Sequence, residues 1–486
     1  MILQESRGDS PGRLPVASLG TYAESSPTPA NRGFQKTEWD QSAALVERYA
    51  LQAQARKAMF EVFYRVPKDE RPKRPHKVVE CRRSLRPVIG QKGKMLKPAI
   101  FKHKATGSTF YGGHIICASG RACPLCAIKI GETKAEEIRK AVTQWMEAGG
   151  ICLFVTLTFP HYRTDTLHDL VDSFQGALTR FRKGRVFDVI KQDLGYEGVI
   201  RALETTWGEK NGFHPHSHEI WFVRPDLASQ DRLRQAAAES RAHFIKTGKR
   251  KSFGEAVVIK ERLYAKWLQA VTASGLSAPS AEYGLRVDNV ENEEQCRSRL
   301  AEYMTKAGLE FDETAPVWGA DDELVKLHTK KGKPDRYTPF DFLREQFNPE
   351  NSENAKTRFR ALFAEFVEEF SGMAQVFWSS NLKGRFDFVP VSEEEAANSR
   401  KEEASLLLEP PPRAWAFVIG IKGKDFRAQL LNKAREGGKE AAIAYLGELL
   451  DLYYLEHYET HFEMLEYDAQ YLLALPDSAF ISMLEI

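Results

Sequence analysis

The strongest structural constraint in this chain is a pair of β-strand patterns separated by a short turn. The patterns are EGVIRALETTW at residues 197–207 and PHSHEIWFV at 215–223, with GEKNG between them. Apolar and β-branched residues favour strands, and a polar segment bounded by glycines is typical of a hairpin turn. The sequence predicts an antiparallel hairpin with its turn near Lys210. Glu204 then lies opposite His216. Nearer the turn, Thr206 lies opposite His214.

The second strand of this hairpin carries two histidines on one face. Successive side chains of a strand point to opposite faces, so His216 and His218 share a face and Ser217 points away. With the Glu204 carboxylate opposite, this pattern predicts a site for a divalent metal whose remaining positions are open for substrate oxygens. His214 precedes a proline and is expected in the loop, as a lesser contributor. The alternative is that the histidines are structural, because strands and turns also contain histidines that bind nothing.

A cluster of cysteines precedes the hairpin in the chain. It has the spacing C-x5-C-x2-C and consists of Cys117, Cys123 and Cys126. Two thiolates two residues apart can reach one tetrahedral ion, so the turn CPLC predicts a structural Zn²⁺ site. The candidates for the fourth ligand are Cys81, His103 and His114. The alternative is a set of buried free thiols. Cys152 lies inside an apolar strand pattern, ICLFVTLTF at 151–159, and is expected in the core.

Charge is distributed unevenly along the chain, although the formal net charge is only +2. Residues 65–104 contain fourteen Lys and Arg against three Asp and Glu, whereas residues 441–486 contain nine acidic residues and no Lys or Arg. The basic stretch predicts contact with a polyanion such as nucleic acid. The alternative is an ordinary solvated surface.

The distribution of apolar residues indicates the cellular location of the protein. No apolar run approaches the ~20 residues that span a bilayer. The N-terminal sequence MILQESRGDSPGRLP lacks the apolar core of a secretion signal. These features predict a cytoplasmic protein whose cysteines are reduced thiols or metal ligands rather than disulfides.

Three short motifs resemble those of a known family. They are, in chain order, FVTLTFPH at 154–161, HPHSHEIWF at 214–222 and YMTK at 303–306. They resemble the motifs of the one-tyrosine Rep proteins, plasmid rolling-circle replication initiators of the HUH endonuclease superfamily. The segment CASGRACPLCAIKI at 117–130 is similar to the cysteine segment of many bacterial Rep proteins, and by this resemblance Cys81 is chosen as the fourth zinc ligand. Thr156 and Thr158 in the first motif are expected to be scaffold beside the histidine strand.

The resemblance implies a nucleophile and a reaction. Tyr303 would attack a phosphodiester of single-stranded DNA at a plasmid origin, giving a 5′-phosphotyrosine and a 3′-OH primer, and the strand would be rejoined at termination. Lys306 shares a helix face with Tyr303 and would stabilise the phenolate or a flanking phosphate. Mg²⁺ or Mn²⁺ held by His216, His218 and Glu204 would polarise the phosphate. Some relatives have a glutamate where this chain has Arg299, so the terminating hydrolysis needs another group here.

The implied fold is α+β: a central antiparallel sheet of the HUH type flanked by helices, an N-terminal zinc-binding element and a mainly helical C-terminal region. The expected divisions are a disordered segment (1–40), a helix plus basic zinc-binding element (41–135), the HUH endonuclease domain (136–312) and the C-terminal region (313–486). The expected partners are origin DNA, a host helicase and polymerase, and a second copy of the chain. The alternative functions are an HUH-family transposase and a non-catalytic zinc-dependent DNA-binding protein.

Overall fold

The computed structural model describes residues 38–91, 94–104, 106–247, 251–289, 336–398, 404–420 and 425–458. Within them the helices are α1 Glu38–Arg65, α2 Pro124–Glu147, α3 Leu167–Phe181, α4 Arg185–Leu194, α5 Leu227–Thr247, α6 Gly254–Thr272, α7 Pro339–Arg344, α8 Glu353–Glu369, α9 Ser380–Lys383, α10 Glu393–Asn398, α11 Pro412–Ile419 and α12 Arg427–Tyr458. The strands are β1 Ala99–His103, β2 Thr109–Gly112, β3 Ile151–Leu157, β4 Tyr196–Gly208, β5 Gly212–Val223, β6 Leu285–Asn289, β7 Val376–Trp378 and β8 Ala404–Leu408. A 3-10 turn spans Lys77–Val79.

The predicted hairpin forms the centre of a five-stranded sheet with the order β6-β3-β5-β4-β7. Its register is the predicted one, because Glu204 is paired with His216. On the other side of β5, Thr156 of β3 is paired with His218. All neighbouring pairs in this sheet are antiparallel. The histidine strand is therefore the middle strand, and hydrogen bonds on both of its edges hold its side chains in place.

Aromatic side chains fill the layer between one face of this sheet and helices α3, α4 and α6. The apolar residues of α3 recur every three or four positions, and the Thr166 side chain caps its N-terminus. Trp221 of β5 contacts Phe181 of α3 and Phe187 of α4. Trp267 of α6 packs edge-on against Phe181, with ring centroids 5.5 Å apart. This layer is the main support beneath the histidine strand.

The opposite face of the sheet changes character along β5. At one end Ile220 and Phe222 pack in an apolar cluster with α2, and the ring centroids of Trp145 and Phe222 are 5.8 Å apart. The same face then continues with His218 and His216, since side chains two apart share a face. Polar ligands therefore replace apolar packing toward the hairpin turn.

Strands from the C-terminal part of the chain complete both sheets. β7 pairs with β4, and β8 pairs with β1 in a smaller sheet of order β2-β1-β8. The rest of the described C-terminal part is helical, and α12 is broken at Gly438, where φ is +70°. The predicted α+β class, with an antiparallel sheet flanked by helices, is confirmed. Among the described helices, none combines the length and the apolar character that crossing a membrane would require.

Candidate functional site

A tight turn fixes how the two hairpin strands approach each other. β4 ends at Gly208 and β5 begins at Gly212. The φ of Gly212 is +76°, a conformation that residues with a side chain rarely adopt, and a Cβ there would lie 3.1 Å from the Cα of Arg163. The loop after β3 therefore packs closely on the turn, and both support the strand register that places Glu204 beside the histidines.

Glu204, His216 and His218 converge on the sheet face. The Nε2 atoms of His216 and His218 lie 3.4 and 3.6 Å from the same carboxylate oxygen, Oε2 of Glu204. One ligand atom from each residue lies within 4.8 Å of the others. Glu204 and His218 are buried, and His216 is partly buried. The structure thus brings together the three residues that the sequence predicted as one metal-ligand set.

The spacing and ring orientation of this set fit a divalent cation. Ligand atoms about 2.1 Å from one ion, at angles of about 90–110°, are roughly 3.0–3.4 Å apart. Nδ1 of His216 lies 3.0 Å from the carbonyl oxygen of His214, which can only accept, so Nδ1 carries the proton and Nε2 presents its lone pair. Nδ1 of His218 lies 3.1 Å from Oγ1 of Thr156, a similar orienting contact. The group could therefore hold a metal ion.

His214 supports this group from within β5, not from the loop where it was expected. Its ring stacks on His161 with centroids 4.2 Å apart, and its Nε2 lies 2.5 Å from Oγ1 of Thr158. Burial, together with the neighbouring histidines and the positive charge of Arg336, lowers the pKa of His214 to about 2. The ring is therefore neutral at ordinary pH. His161 was not predicted as a site residue. The sequence feature that could have indicated it is its position at the end of the motif FVTLTFPH.

The four cysteines form a second group that could hold a metal ion, made up of Cys81, Cys117, Cys123 and Cys126. The Sγ of Cys126 lies 3.6 Å from the Sγ of Cys81 and of Cys117. The Sγ of Cys81 lies 3.8 Å from that of Cys123. A tetrahedral Zn²⁺ with Zn–S bonds of about 2.3 Å sets its sulfurs about 3.8 Å apart, whereas disulfide sulfurs are about 2.0 Å apart. The spacing fits one ion held by four thiolates, and Cys81 supplies the fourth position rather than His103 or His114.

Local charge in the cysteine cluster also fits a cation. Hydrogen bonds from the neighbouring thiols hold the pKa of Cys81 well below its usual range, whereas burial raises the pKa of Cys123 well above it. Cys123 is the N-cap of α2 and Cys126 lies in its first turn, where the helix N–H groups favour thiolates. A bound cation would convert the thiols that burial keeps neutral into thiolates, because a coordinating thiol loses its proton.

Hydrogen bonds from helices α1 and α12 hold the turn that contains Cys81. Gln52 of α1 donates a hydrogen bond from Nε2 to the Cys81 carbonyl at 2.8 Å. Arg427 of α12, which is fully buried, donates to the carbonyls of Cys81 and Arg82 at 3.4 and 2.9 Å. Asp425 forms an ion pair with this guanidinium at 2.5 Å. The cluster is therefore an anchor point for α1, α2 and α12 at once.

The predicted nucleophile and its partner, Tyr303 and Lys306, lie outside the described residues, as does Arg299. The chain flanking them is attached to the histidine sheet on both sides. β6 pairs with β3 and ends at Asn289. The described chain resumes at Arg336, next to a backbone bridge in which Tyr337 and Trp207 exchange hydrogen bonds of 2.8 and 2.9 Å.

Part of this chain is similar to a known protein family. Residues 113–235 match the model of a protein family described as a replication protein. The matched span includes three of the clustered cysteines and the whole β4–β5 hairpin. The chain therefore resembles plasmid replication initiators, as the sequence predicted. The matched span contains the first two motifs, at 154–161 and 214–222, and ends before the third, at 303–306.

Two proteins from Streptomyces are similar to this chain. "Protein rep" of Streptomyces lividans is 28% identical over 275 residues, which are 50% of this chain and 56% of that protein. A protein of Streptomyces cyanogenus named "Neomycin resistance protein" is 33% identical over 148 residues, 26% of this chain and 34% of that protein. The matches thus span little more than half of the first relative and about a third of the second. No solved structure gives a significant match.

Proposed function

We propose that this protein initiates plasmid replication by nicking one DNA strand at the origin, and that it rejoins the strand when the round ends. The observation that carries the proposal is the single Glu204 oxygen 3.4 and 3.6 Å from the Nε2 atoms of His216 and His218. A divalent cation bound by these three residues, Mg²⁺ or Mn²⁺ by this proposal, would act as a Lewis acid and as a template for the phosphate. Thr156 and the His214 carbonyl orient the two imidazoles for that role.

Tyr303 is the proposed nucleophile. Its phenol oxygen attacks the scissile phosphorus, the bond from phosphorus to the 3′ oxygen breaks, and the phenol proton passes to solvent while the leaving oxygen gains one. The products are a 5′-phosphotyrosine and a 3′-OH that primes a polymerase. The Lys306 ammonium, three residues on, favours the phenolate by its charge. Attack by a 3′-OH on the phosphotyrosine reverses these steps and rejoins the strand without a further energy source.

Chain length is compatible with this role for Tyr303. Thirteen residues, 290–302, lie between it and Asn289, the end of β6. With residues 295–303 helical, as the sequence predicts, this segment spans up to about 30 Å, whereas a sheet of five strands is about 24 Å wide. The segment is therefore long enough for the proposed attack by Tyr303 at the histidine face.

A nicking assay tests the proposed reaction. A labelled single-stranded oligonucleotide carrying the plasmid's origin sequence is incubated with the protein and Mn²⁺, and covalent adducts are resolved on a denaturing gel. We expect an adduct whose phosphopeptide maps to Tyr303, its loss in Tyr303→Phe, and its retention in the control Tyr283→Phe. An adduct that persists in Tyr303→Phe would refute the nucleophile. If the wild type bound origin DNA but left it uncut under these conditions, the non-catalytic alternative would be correct.

The cysteine cluster is proposed to bind a structural Zn²⁺ that fixes the basic segment, residues 65–104. Some basic side chains of this segment stabilise the fold, since Arg83 forms an ion pair with Asp425 at 3.6 Å and Arg86 donates a hydrogen bond to Asn398. The exposed basic residues include Lys68, Lys73, Arg74, Lys77 and Lys94. We propose that these bind the duplex beside the nick site through its phosphates.

Duplex binding is tested separately from nicking. The double variant Lys73→Glu, Arg74→Glu should weaken binding of an origin duplex and flatten the dependence of affinity on salt, as followed by fluorescence anisotropy. Nicking of a short single-stranded oligonucleotide should be retained. Unchanged duplex affinity and salt dependence would rule out this surface.

A further inference from the structure

Arg121 joins the cysteine cluster to the strand that carries Glu204. It lies in the loop between Cys117 and Cys123, and its Nη2 donates a hydrogen bond to the carbonyl of Leu203 at 3.0 Å. Leu203 directly precedes Glu204 in β4. The same nitrogen is 3.4 Å from the carbonyl of Ala374. One side chain thus spans from the loop of one candidate metal site to the backbone of the other.

This contact falls at a particular place on the edge of β4. Among the described residues, β7 pairs with β4 at residues 200–202, and the next pairing on this edge is the bridge between Trp207 and Tyr337. Leu203 and Glu204 lie between those two pairings. Arg121 therefore donates to the edge of β4 just beyond the end of β7. Its acceptor is the carbonyl of Leu203, and the backbone there sets the position of the next residue, Glu204.

The base of this arginine is held rigidly. Its loop begins and ends at cysteines of the cluster, Cys117 and Cys123, and the N–H of Cys123 donates to the Ser119 carbonyl at 3.3 Å. A Cβ on Gly120 would lie 2.4 Å from Oε1 of Gln375, so the loop packs closely on the segment before β7. An ion bound by the four thiolates would clamp both ends of the loop and fix the point from which the arginine reaches β4.

The guanidinium is also held at its far end. It lies over the Phe370 ring, 4.6 Å from the centroid, and its charge is attracted by Glu204 and Glu393. In partly buried surroundings such charge interactions are stronger than in bulk water. Arg121 thus fixes both the backbone before Glu204 and the electrostatic surroundings of its carboxylate.

We propose that Arg121 is a positioning residue that couples ion binding in the cysteine cluster to metal binding by Glu204, His216 and His218. The proposal rests on the proposed function in one respect, that both groups hold metal. Without the arginine, or without the ion that fixes its loop, β4 can shift and the three ligand atoms lose their common point. Loss of outer-shell contacts of this kind lowers metal affinity by about 10- to 100-fold.

The test measures Mn²⁺ affinity by electron paramagnetic resonance of free Mn²⁺, using zinc-loaded full-length protein. Arg121→Gln should weaken Mn²⁺ binding by about tenfold, and Arg121→Lys, which keeps the positive charge and can still donate to the Leu203 carbonyl, by less. The matched control is Arg385→Gln, which removes an arginine paired with Glu197 at the other end of β4 and should leave the affinity unchanged. An Arg121→Gln protein with wild-type Mn²⁺ affinity would overturn the proposal.

A thermodynamic cycle that combines zinc removal with the Arg121→Gln substitution tests the coupling itself. Chelation of zinc should weaken Mn²⁺ binding in the wild type but add little in Arg121→Gln, because the connection is already broken. Thermal melts of each sample test whether the protein is still folded at the temperature of the binding measurement. Full additivity of the two losses would mean that Arg121 does not carry the effect.

The same measurements separate this inference from the proposed function. The Mn²⁺ binding that is lost in His216→Ala is the binding at Glu204, His216 and His218. If the wild type showed no such binding, both the proposed metal centre and the coupling would be wrong. Mn²⁺ affinities that follow the expected pattern in a protein that fails to nick DNA would support the coupling and contradict only the proposed nicking activity.

Discussion

Oγ1 of Thr156 lies 3.1 Å from Nδ1 of His218, on the neighbouring strand and in direct register with it. The hydroxyl of β3 therefore fixes the imidazole ring of β5. With Nδ1 engaged in this way, Nε2 is turned toward Glu204, 3.6 Å from its carboxylate. A threonine that reads as an ordinary strand residue thus orients one of the proposed metal ligands.

This relationship predicts the effect of Thr156→Val. The substitution keeps the shape of the side chain and removes the hydroxyl, so the His218 ring gains rotational freedom. We expect Mn²⁺ affinity to fall about tenfold, as measured by isothermal titration calorimetry. Thr205→Val, on the opposite face of β4, is the control and should bind Mn²⁺ as the wild type does. Equal affinities for all three proteins would show that the hydroxyl does not orient the ring.

Glu204→Gln tests whether the carboxylate is a ligand. An amide of the same shape lacks the negative charge that a divalent cation requires, so affinity for Mn²⁺ should fall by more than about 100-fold, exceeding the usual effect of an outer-shell change. Zinc content, determined by elemental analysis, should stay at the wild-type value because the cysteine cluster is untouched. Retention of tight Mn²⁺ binding by this variant would remove Glu204 from the site.

Cys81→Ser tests the fourth position of the cysteine cluster. Serine is a poor ligand for Zn²⁺, so the variant should hold less than half an equivalent of zinc and melt at a lower temperature than the wild type. Cys152→Ser, which alters a buried cysteine of β3 outside the cluster, should keep a full equivalent. A wild type that itself lacks zinc when freshly purified would contradict the assignment for all four cysteines.

His114 predicts a pH dependence of stability. Burial lowers its pKa to about 4 from the ordinary value of 6.5, so the folded protein takes up this proton less readily than the unfolded chain. Its contribution to stability is complete above the unfolded pKa and is lost as the pH falls toward the folded one. Between about pH 7 and about pH 5 the loss from this group is about 2 kcal/mol.

Urea unfolding at the two pH values measures this loss. His114→Phe keeps an aromatic ring beside Tyr111 and Trp415 and has no titrating group, so it should lose about 2 kcal/mol less than the wild type over this range. Parallel losses in the two proteins would assign the acid sensitivity to other residues.

Several features of this protein could be predicted from short stretches of sequence. The hairpin register, with Glu204 opposite His216, follows from the position of one turn between two alternating strands. The spacing of Cys117, Cys123 and Cys126 predicted three members of a metal cluster in the same way. These arrangements depend on backbone geometry over a few residues, which the local sequence specifies. The position of Tyr303 relative to the histidines remains a prediction.

Tertiary structure decided the contacts between parts of the chain that are far apart in sequence. It joined Cys81 to the other cysteines, while the residue-based argument had left two histidines open for that position. It added β7 and β8 to sheets formed mainly from the N-terminal half, and it brought Arg121 to the strand edge before Glu204. Such pairings depend on which arrangement buries the most apolar surface and satisfies the most backbone hydrogen-bonding groups over the whole chain. That total cannot be evaluated from any single segment of the sequence.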